Sequence, residues 1–222
     1  PLPVAALLLM LLSEHEIANA RAFVLGWWFG LGHGIAAYYW IYNPFLVDAA
    51  QHGWMAPFAV VGLAAGLALF PGAVAALARL AFAWRPGFGA AGRVLVFALL
   101  WTAAEWTRGW LFTGFPWNLI GTAWVFSDAM IQLAAVTGVY GLSLLTVAVA
   151  AMPAVLAAPA GQRDGPRPVL IAAVALALVW AGGALRLADA KNAAVPGIHL
   201  RLVQPAIPQK LKWRPELRRD NV

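Results

Sequence analysis

Long runs of apolar residues dominate this chain of 222 residues. A bilayer core of roughly 30 Å needs about 20 apolar residues per transmembrane helix. The apolar runs lie at 2–12, 22–42, 54–84, 93–112, 129–158 and 168–188. With 63% hydrophobic and 11% charged residues, the folded chain would expose a large apolar surface in water. The sequence therefore predicts an all-α membrane protein, a polytopic transmembrane helix bundle of about six segments over residues 1–190.

Two of the runs differ in length from a single span. Residues 2–12 are about half a span. The run at 54–84 is too long for one untilted helix. Because proline lacks a backbone donor and clashes with the preceding turn, we expect a kink at Pro71 and Gly72.

The positions of the basic residues predict the orientation of the bundle, because Lys and Arg in short loops are retained on the cytoplasmic side. The loops at 43–53 and 113–128 contain neither residue. The basic residues in or beside the other loops are Arg21, Arg79, Arg85, Arg93, Arg163 and Arg167. We therefore expect 13–21, 85–92 and 159–167 in the cytoplasm, and 43–53, 113–128 and everything after 188 outside it.

Cysteine is absent from the sequence. Its absence excludes a disulfide scaffold, a thiolate metal site and a cysteine nucleophile within these residues. The sequence also has no Walker loop, dinucleotide fingerprint or zinc-ligand spacing, so we predict neither a cofactor nor a metal site. His33 is the one histidine inside a predicted span, and without a facing second histidine for haem we interpret it as a hydrogen-bonded packing residue.

The most informative stretch is EWTRGWLFTGFPWN at 105–118. Glu105 and Arg108 are three residues apart, so they share a face of the helix, and we expect them to pair with each other. One interpretation is a structural salt bridge that closes the bundle. The other is that Arg108 presents its guanidinium to a phosphate or carboxylate at the membrane surface, with Glu105 orienting it. Gly114 and Pro116 should end the helix and begin an aromatic loop.

Aromatic residues cluster near the predicted helix ends, and 12 of the residues are Trp. Anchoring in the headgroup region explains most of these clusters without a ligand, because amphipathic rings favour that depth. A minority of them would line a groove for acyl chains.

The end of the chain has a different pattern. Residues 199–204 alternate polar and apolar side chains, which predicts the first strand of a domain outside the membrane, over 198–222. The basic residues around Trp213 are too few and too interrupted to indicate nucleic acid, and a surface facing anionic headgroups fits them better. The chain begins at Pro1 and ends among charged residues, so we expect it to be part of a longer protein.

Three motifs resemble bacterial apolipoprotein N-acyltransferases, in that family's order and spacing. They are EWTRGWLFTGFPWNLIGTAW at 105–124, IQLAAVTGVYGLSLL at 131–145 and LVQPAIPQKLKW at 202–213. The stretch at 26–45 is also similar to the family's aromatic helix region. The resemblance implies an inner-membrane enzyme with a periplasmic nitrilase-like α/β domain, of which 198–222 would be the truncated beginning.

The resemblance also implies a reaction. The family transfers an acyl chain from a phospholipid, through a cysteine thioester, to the N-terminal amine of a diacylglyceryl-cysteine lipoprotein. Its Glu-Lys-Cys triad lies in the nitrilase-like domain, so no catalytic residue is expected here and this chain alone should be inactive.

By the same resemblance, the residues expected to contact substrate are Glu105, Arg108, Phe115, Pro116, Trp117 and Trp213. They would line the lipid portal or hold the catalytic domain in register. The alternative from a different class is a non-enzymatic transport or scaffold subunit of the membrane, in which the Glu105 and Arg108 pair gates or assembles.

Overall fold

The computed structural model describes residues 7–8, 18–159, 161, 164–188, 190, 197, 199–204 and 206–207, and within them all regular secondary structure is helical. The α-helices are α1 (Asn19–Ala37), α2 (Ala49–His52), α3 (Ala56–Leu67), α4 (Leu69–Trp84), α5 (Ala90–Arg108), α6 (Asp128–Ile131), α7 (Ala134–Ala151) and α8 (Arg167–Ala188). Single 3-10 turns or short 3-10 helices lie at Tyr39–Leu46, Gly53–Met55, Leu111–Thr113, Ile120–Trp124 and Met152–Ala157.

Among the residues that the structure describes, three helical stretches are long and apolar enough to cross a membrane. They are Ala49–Trp84, Ala134–Ala157 and Arg167–Ala188. The all-helical class is therefore confirmed for the described residues, and three of the predicted runs overlap such a stretch. Helices α1 and α5 also form where spans are predicted, but Gly and Trp make α1 less apolar, and three charged residues do the same to α5. The total of about six spans stays a prediction.

The strand predicted at 199–204 is not formed, because these residues have no regular secondary structure. Leu200 and Leu202 are 85% and 96% exposed. An alternating pattern buries one face only when a neighbouring strand completes the hydrogen bonds, and no described residue occupies that place. Most of the predicted domain at 198–222 lies outside the described residues, so its boundaries stay a prediction.

Helix α1 packs closely on α3 and α4 through buried glycines four residues apart, namely Gly26, Gly30 and Gly34. A Cβ at Gly30 would lie 2.9 Å from Cγ of Pro71 and 3.0 Å from Cα of Ala68. Small residues at this spacing let membrane helices approach backbone to backbone. The glycine stripe therefore sets how near α1 lies to the start of α4.

The long apolar run is interrupted near the predicted kink. Helix α3 ends at Leu67 and α4 begins at Leu69. Pro71 has no N–H for the carbonyl of Leu67, so the regular pattern breaks about one turn before the proline. The predicted break is thus found at Ala68 instead of at Pro71 and Gly72 themselves.

The core lies between α4, α5 and α7. Its largest fully buried side chains include Phe82 from α4, Phe97 from α5 and Val147 from α7. Leu7 and Leu8 are buried in the same cluster, so the first predicted run contributes to this core. Helix α5 packs between α4 and α7. Its last turn lies beyond this core and contains the charged residues Glu105 and Arg108.

Segments that the sequence predicts near the same side of the membrane contact each other. Asn118 accepts a hydrogen bond from the indole N–H of Trp40 at 3.2 Å and donates one to the carbonyl of Ala37 at 3.1 Å. At the opposite end of α5, the backbone N–H of Ala91 donates to Oδ2 of Asp164 at 2.7 Å. The grouping of the loops is therefore consistent with the predicted topology.

Candidate functional site

The site lies where α5 ends. Arg108 is the last residue of the helix, and the backbone N–H of Gly109 closes its last turn by donating to the carbonyl of Glu105 at 3.1 Å. The chain then turns back, because the N–H of Phe115 donates to the carbonyl of Arg108 at 2.7 Å. The predicted break of the helix before the aromatic loop is confirmed.

Consecutive residues of this turn have a left-handed backbone. Phe112, Thr113 and Gly114 have φ values of 52°, 80° and 84°, and Asn118 has 53°. Such a conformation costs a residue other than glycine on the order of 1–3 kcal/mol, and it persists only where the surroundings hold it. The backbone hydrogen bonds from Gly114 to the carbonyl of Leu111 and from Phe115 to that of Arg108 close the turn around these residues.

Glu105 is buried and connects the helix to the far end of the loop. Only 7% of its surface is exposed. Its Oε1 accepts one hydrogen bond from the backbone N–H of Ile120 at 2.8 Å and another from the indole N–H of Trp101 at 3.3 Å. Trp101 lies one turn earlier on α5, and Ile120 begins the 3-10 turn after the loop. One carboxylate oxygen therefore fixes the register between α5 and residue 120.

Arg108 is also buried, at 8% exposed, and its guanidinium contacts two different parts of the chain. Its Nη1 donates to the hydroxyl of Tyr38 at 2.6 Å, and its Nη2 donates to the carbonyl of Trp117 at 3.0 Å. The guanidinium carbon lies 5.9 Å from the centre of the Phe115 ring. The same ring meets Tyr38 edge to face at 5.3 Å. Arg108 thereby joins α1, α5 and the loop.

The predicted ion pair between Glu105 and Arg108 is wrong. Among the described contacts, neither carboxylate oxygen forms a hydrogen bond with the guanidinium, and Oε2 of Glu105 and Nε of Arg108 have no hydrogen-bond partner. A spacing of three residues places two side chains on one face of a helix but does not make them contact. Here the two side chains form hydrogen bonds with the loop backbone and with Tyr38 instead of with each other.

Tyr38 and Asn118 are site residues that sequence reasoning missed. Tyr38 lies 70 positions before Arg108, in an aromatic cluster that we assigned to the membrane interface. It differs from its neighbours in being almost completely buried. No local pattern in a single sequence signals that contact. Asn118 follows the FPW motif directly, and its left-handed φ is typical of asparagine in turns.

The last turn of α5 and the loop after it present a set of exposed aromatic side chains. Phe112 is 86% exposed, and Trp106, Trp110, Trp117 and Phe126 are each more than half exposed. Trp106 and Trp110 contact each other edge to face at 5.4 Å, as do Trp40 and Trp117 at 6.1 Å. Exposed aromatic rings at a helix end are typical of a surface at headgroup depth, in agreement with the predicted role of these clusters.

The remaining predicted residues have mixed outcomes. Phe115, Pro116 and Trp117 lie on the loop beside Arg108, so the structure brings them together with Glu105 and Arg108. Trp213 lies outside the described residues. His33 stacks on Phe29 with ring centres 6.0 Å apart and has no hydrogen bond among the described contacts, so only the packing part of its prediction holds.

More than half of the chain matches the model of a known protein family. Residues 1–152 match the model described as the apolipoprotein N-acyltransferase N-terminal domain. The chain belongs to the apolipoprotein N-acyltransferase family. The resemblance carried by the three sequence motifs is therefore confirmed.

Individual relatives extend the match to nearly the whole chain. It is 44% identical to the apolipoprotein N-acyltransferase of Caulobacter vibrioides over 211 residues, which cover 94% of this chain and 38% of that protein. It is 40% identical to that of Rhodopseudomonas palustris over 201 residues, covering 90% and 36%. The Brucella melitensis protein is 43% identical over 192 residues, covering 85% and 34%. The chain thus spans a little over a third of the length of these relatives.

Proposed function

We propose that this chain is the membrane part of an apolipoprotein N-acyltransferase of the bacterial inner membrane. The enzyme would take an acyl chain from a phospholipid onto a cysteine and pass it to the N-terminal amine of a diacylglyceryl-modified lipoprotein. The observation that carries the proposal is the identity of 44% over 94% of the chain. The motif at 105–118, which forms a single hydrogen-bonded assembly, supports it further.

The acyl-transfer chemistry itself is proposed to belong to the part of the relatives that this chain does not cover. These 222 residues contain no cysteine, so they hold no thiol that forms a thioester. A Glu-Lys-Cys triad in a nitrilase-like domain would supply the base, the cation that stabilises the tetrahedral intermediate, and the nucleophile. By this proposal the 222 residues alone do not transfer acyl groups.

The role proposed for Glu105 and Arg108 is to hold the loop that faces the substrate. Both terminal nitrogens of Arg108 already donate to protein groups, so its fork is used inside the protein. The residues that would contact lipid or the catalytic domain directly are the exposed ones on the loop, with Pro116 and Trp117 foremost and Phe115 supporting them. Trp213 is proposed to lie near the substrate on the basis of the motif at 202–213 alone.

The proposed orientation puts this loop, and everything after residue 188, on the periplasmic side. It rests on the absence of Lys and Arg from 43–53 and 113–128. The contact of Asn118 with Trp40, which lies just before the loop at 43–53, supports a common side for these two loops. A periplasmic position would place the loop beside the leaflet from which lipoproteins are acylated.

The test compares two chains in inner-membrane vesicles that contain phospholipid and a diacylglyceryl-modified lipoprotein. One is the 222-residue chain, and the other is the same chain extended by its downstream coding sequence. Mass spectrometry of the lipoprotein N-terminus should find an added acyl group only with the extended chain. Acylation by the 222 residues alone would contradict the assignment of the chemistry. A natural stop codon after Val222, or an inactive extended chain, would favour the transport or scaffold subunit.

A further inference from the structure

Two buried polar atoms of the site have no hydrogen-bond partner among the described residues. They are Oε2 of Glu105 and Nε of Arg108. Both side chains are more than nine-tenths buried, and both line the same cleft between α1, α4 and α5. A buried polar atom without a partner is costly, because it has lost its water and gained nothing in return. We therefore expect the hydrogen-bond partner of these two atoms to lie in the cleft.

The cleft has apolar walls and a polar end. Its walls include Phe70, Pro71 and Val74 from α4 and Trp101 and Ala104 from α5. Tyr38, Glu105 and Arg108 form the polar end, with His33 and Asn118 exposed at the opening. The cavity volume is about 30 Å³. A water molecule needs at least about 10–15 Å³ measured in this way, so the cavity has room for one or two.

The hydrogen-bonding properties of Oε2 and Nε restrict which kind of molecule binds in the cleft. Oε2 accepts a hydrogen bond and Nε donates one, so the occupant must both donate and accept. A phosphate would face the carboxylate of Glu105, and a cation would face the guanidinium of Arg108, so a charged ligand is disfavoured on both counts. A small neutral group with a donor and an acceptor satisfies both atoms.

We propose that the cleft beside α5 is a water site, in which one or two bound water molecules donate to Oε2 of Glu105 and accept from Nε of Arg108. The bound water takes the place of the direct ion pair that the spacing of the two residues suggests. It gives each charged group a partner while leaving the other oxygen and nitrogens free to hold the loop and Tyr38. The inference depends only on the residues of this chain and not on the proposed enzymatic activity.

The test labels the chain, purified in detergent, with hydroxyl radicals that short X-ray pulses generate from water. Radicals formed from water in the cleft should oxidise the buried rings of Tyr38 and Trp101, whereas Phe97, fully buried on α5 and not among the residues that line the cleft, should stay unmodified. Rapid mixing into heavy-oxygen water before the pulse distinguishes held water from free water. The heavy label should reach Trp101 later than it reaches the exposed Trp54. An unlabelled Trp101, or equally fast arrival at both residues, would overturn the proposal.

A pair of variants places the water in the cleft. Ala104→Leu fills the cleft from α5, and Ala103→Leu adds the same side chain at an exposed position of the same helix. Oxidation of Tyr38 and Trp101 should fall to the level of Phe97 in the first variant and stay at the native level in the second. Full labelling in Ala104→Leu would contradict the assignment. Because the heavy-oxygen time course uses the native chain, it decides the proposal even where Ala104→Leu does not fold.

Discussion

The hydroxyl of Tyr38 accepts a hydrogen bond from Nη1 of Arg108 at 2.6 Å, although 70 positions separate the two residues in the sequence. This contact joins the end of α1 to the end of α5. Both side chains are buried, so water does not compete freely for either group. The bond is therefore a direct link between the end of α1 and the end of α5.

Tyr38→Phe should destabilise the chain by about 1.5–3 kcal/mol, because it removes a neutral acceptor from a buried charged donor. The measurement is thermal unfolding in detergent, followed by tryptophan fluorescence. The matched control is Tyr39→Phe, which makes the same chemical change at a position 69% exposed and should leave the unfolding curve unchanged. Equal effects of the two variants would show that the bond to Arg108 contributes nothing.

Arg108→Lys in the full-length protein should lower acyl transfer about 10- to 100-fold, because lysine keeps the charge but cannot hold Tyr38 and the Trp117 carbonyl together, and small displacements near a site are costly. Membrane insertion, measured by fractionation, should stay normal. Arg85→Lys serves as the control, since Arg85 is exposed at the other end of the bundle. Native activity in Arg108→Lys would argue against the proposed role of the loop.

Gly30→Ala should destabilise the chain by about 1–3 kcal/mol, because the new Cβ overpacks the contact between α1 and α4. The same change at Gly32, on the open side of α1 with nothing within 4 Å, should be neutral or slightly stabilising. Thermal unfolding of the two variants measures the difference. A harmless Gly30→Ala would mean that α1 does not depend on this close approach.

The topology is tested with single cysteines, for which the native chain, having none, is the background. Phe126→Cys should react with a membrane-impermeant maleimide in intact spheroplasts, because residue 126 is exposed on the loop side. Gly87→Cys, between α4 and α5, should react only after permeabilisation. The reverse pattern would invert the proposed orientation.

The sequence predicts the helices of this chain well because burial in a bilayer leaves a long apolar signal. A break before the aromatic loop is also predictable, since Gly114 and Pro116 disfavour helix, but α5 ends at Arg108, before either residue. The partners of Glu105 and Arg108 are not, because a spacing of three residues specifies only the face they share. Their contacts come from Tyr38 and from the loop backbone, whose left-handed residues include Phe112 and Thr113, types that do not favour that conformation.

The strand predicted at 199–204 is not formed, and this difference has another cause. Alternation of polar and apolar residues states which side chains a strand would bury, but a strand exists only through hydrogen bonds to a neighbour. With Leu200 and Leu202 exposed, the described residues supply no such neighbour. Helices satisfy their own backbone groups, and this is why α8 forms from its own residues while residues 199–204 do not form a strand.

The reach of the contacts at the end of α5 has a consequence for biosynthesis. Every described hydrogen bond of the Glu105 and Arg108 side chains is to a residue no later than Ile120. Tyr38 is already present when Arg108 leaves the ribosome, and the last partner follows within one loop. All described hydrogen-bond partners of the two side chains therefore exist once Ile120 has been made, so these contacts form without any described residue that is synthesised later.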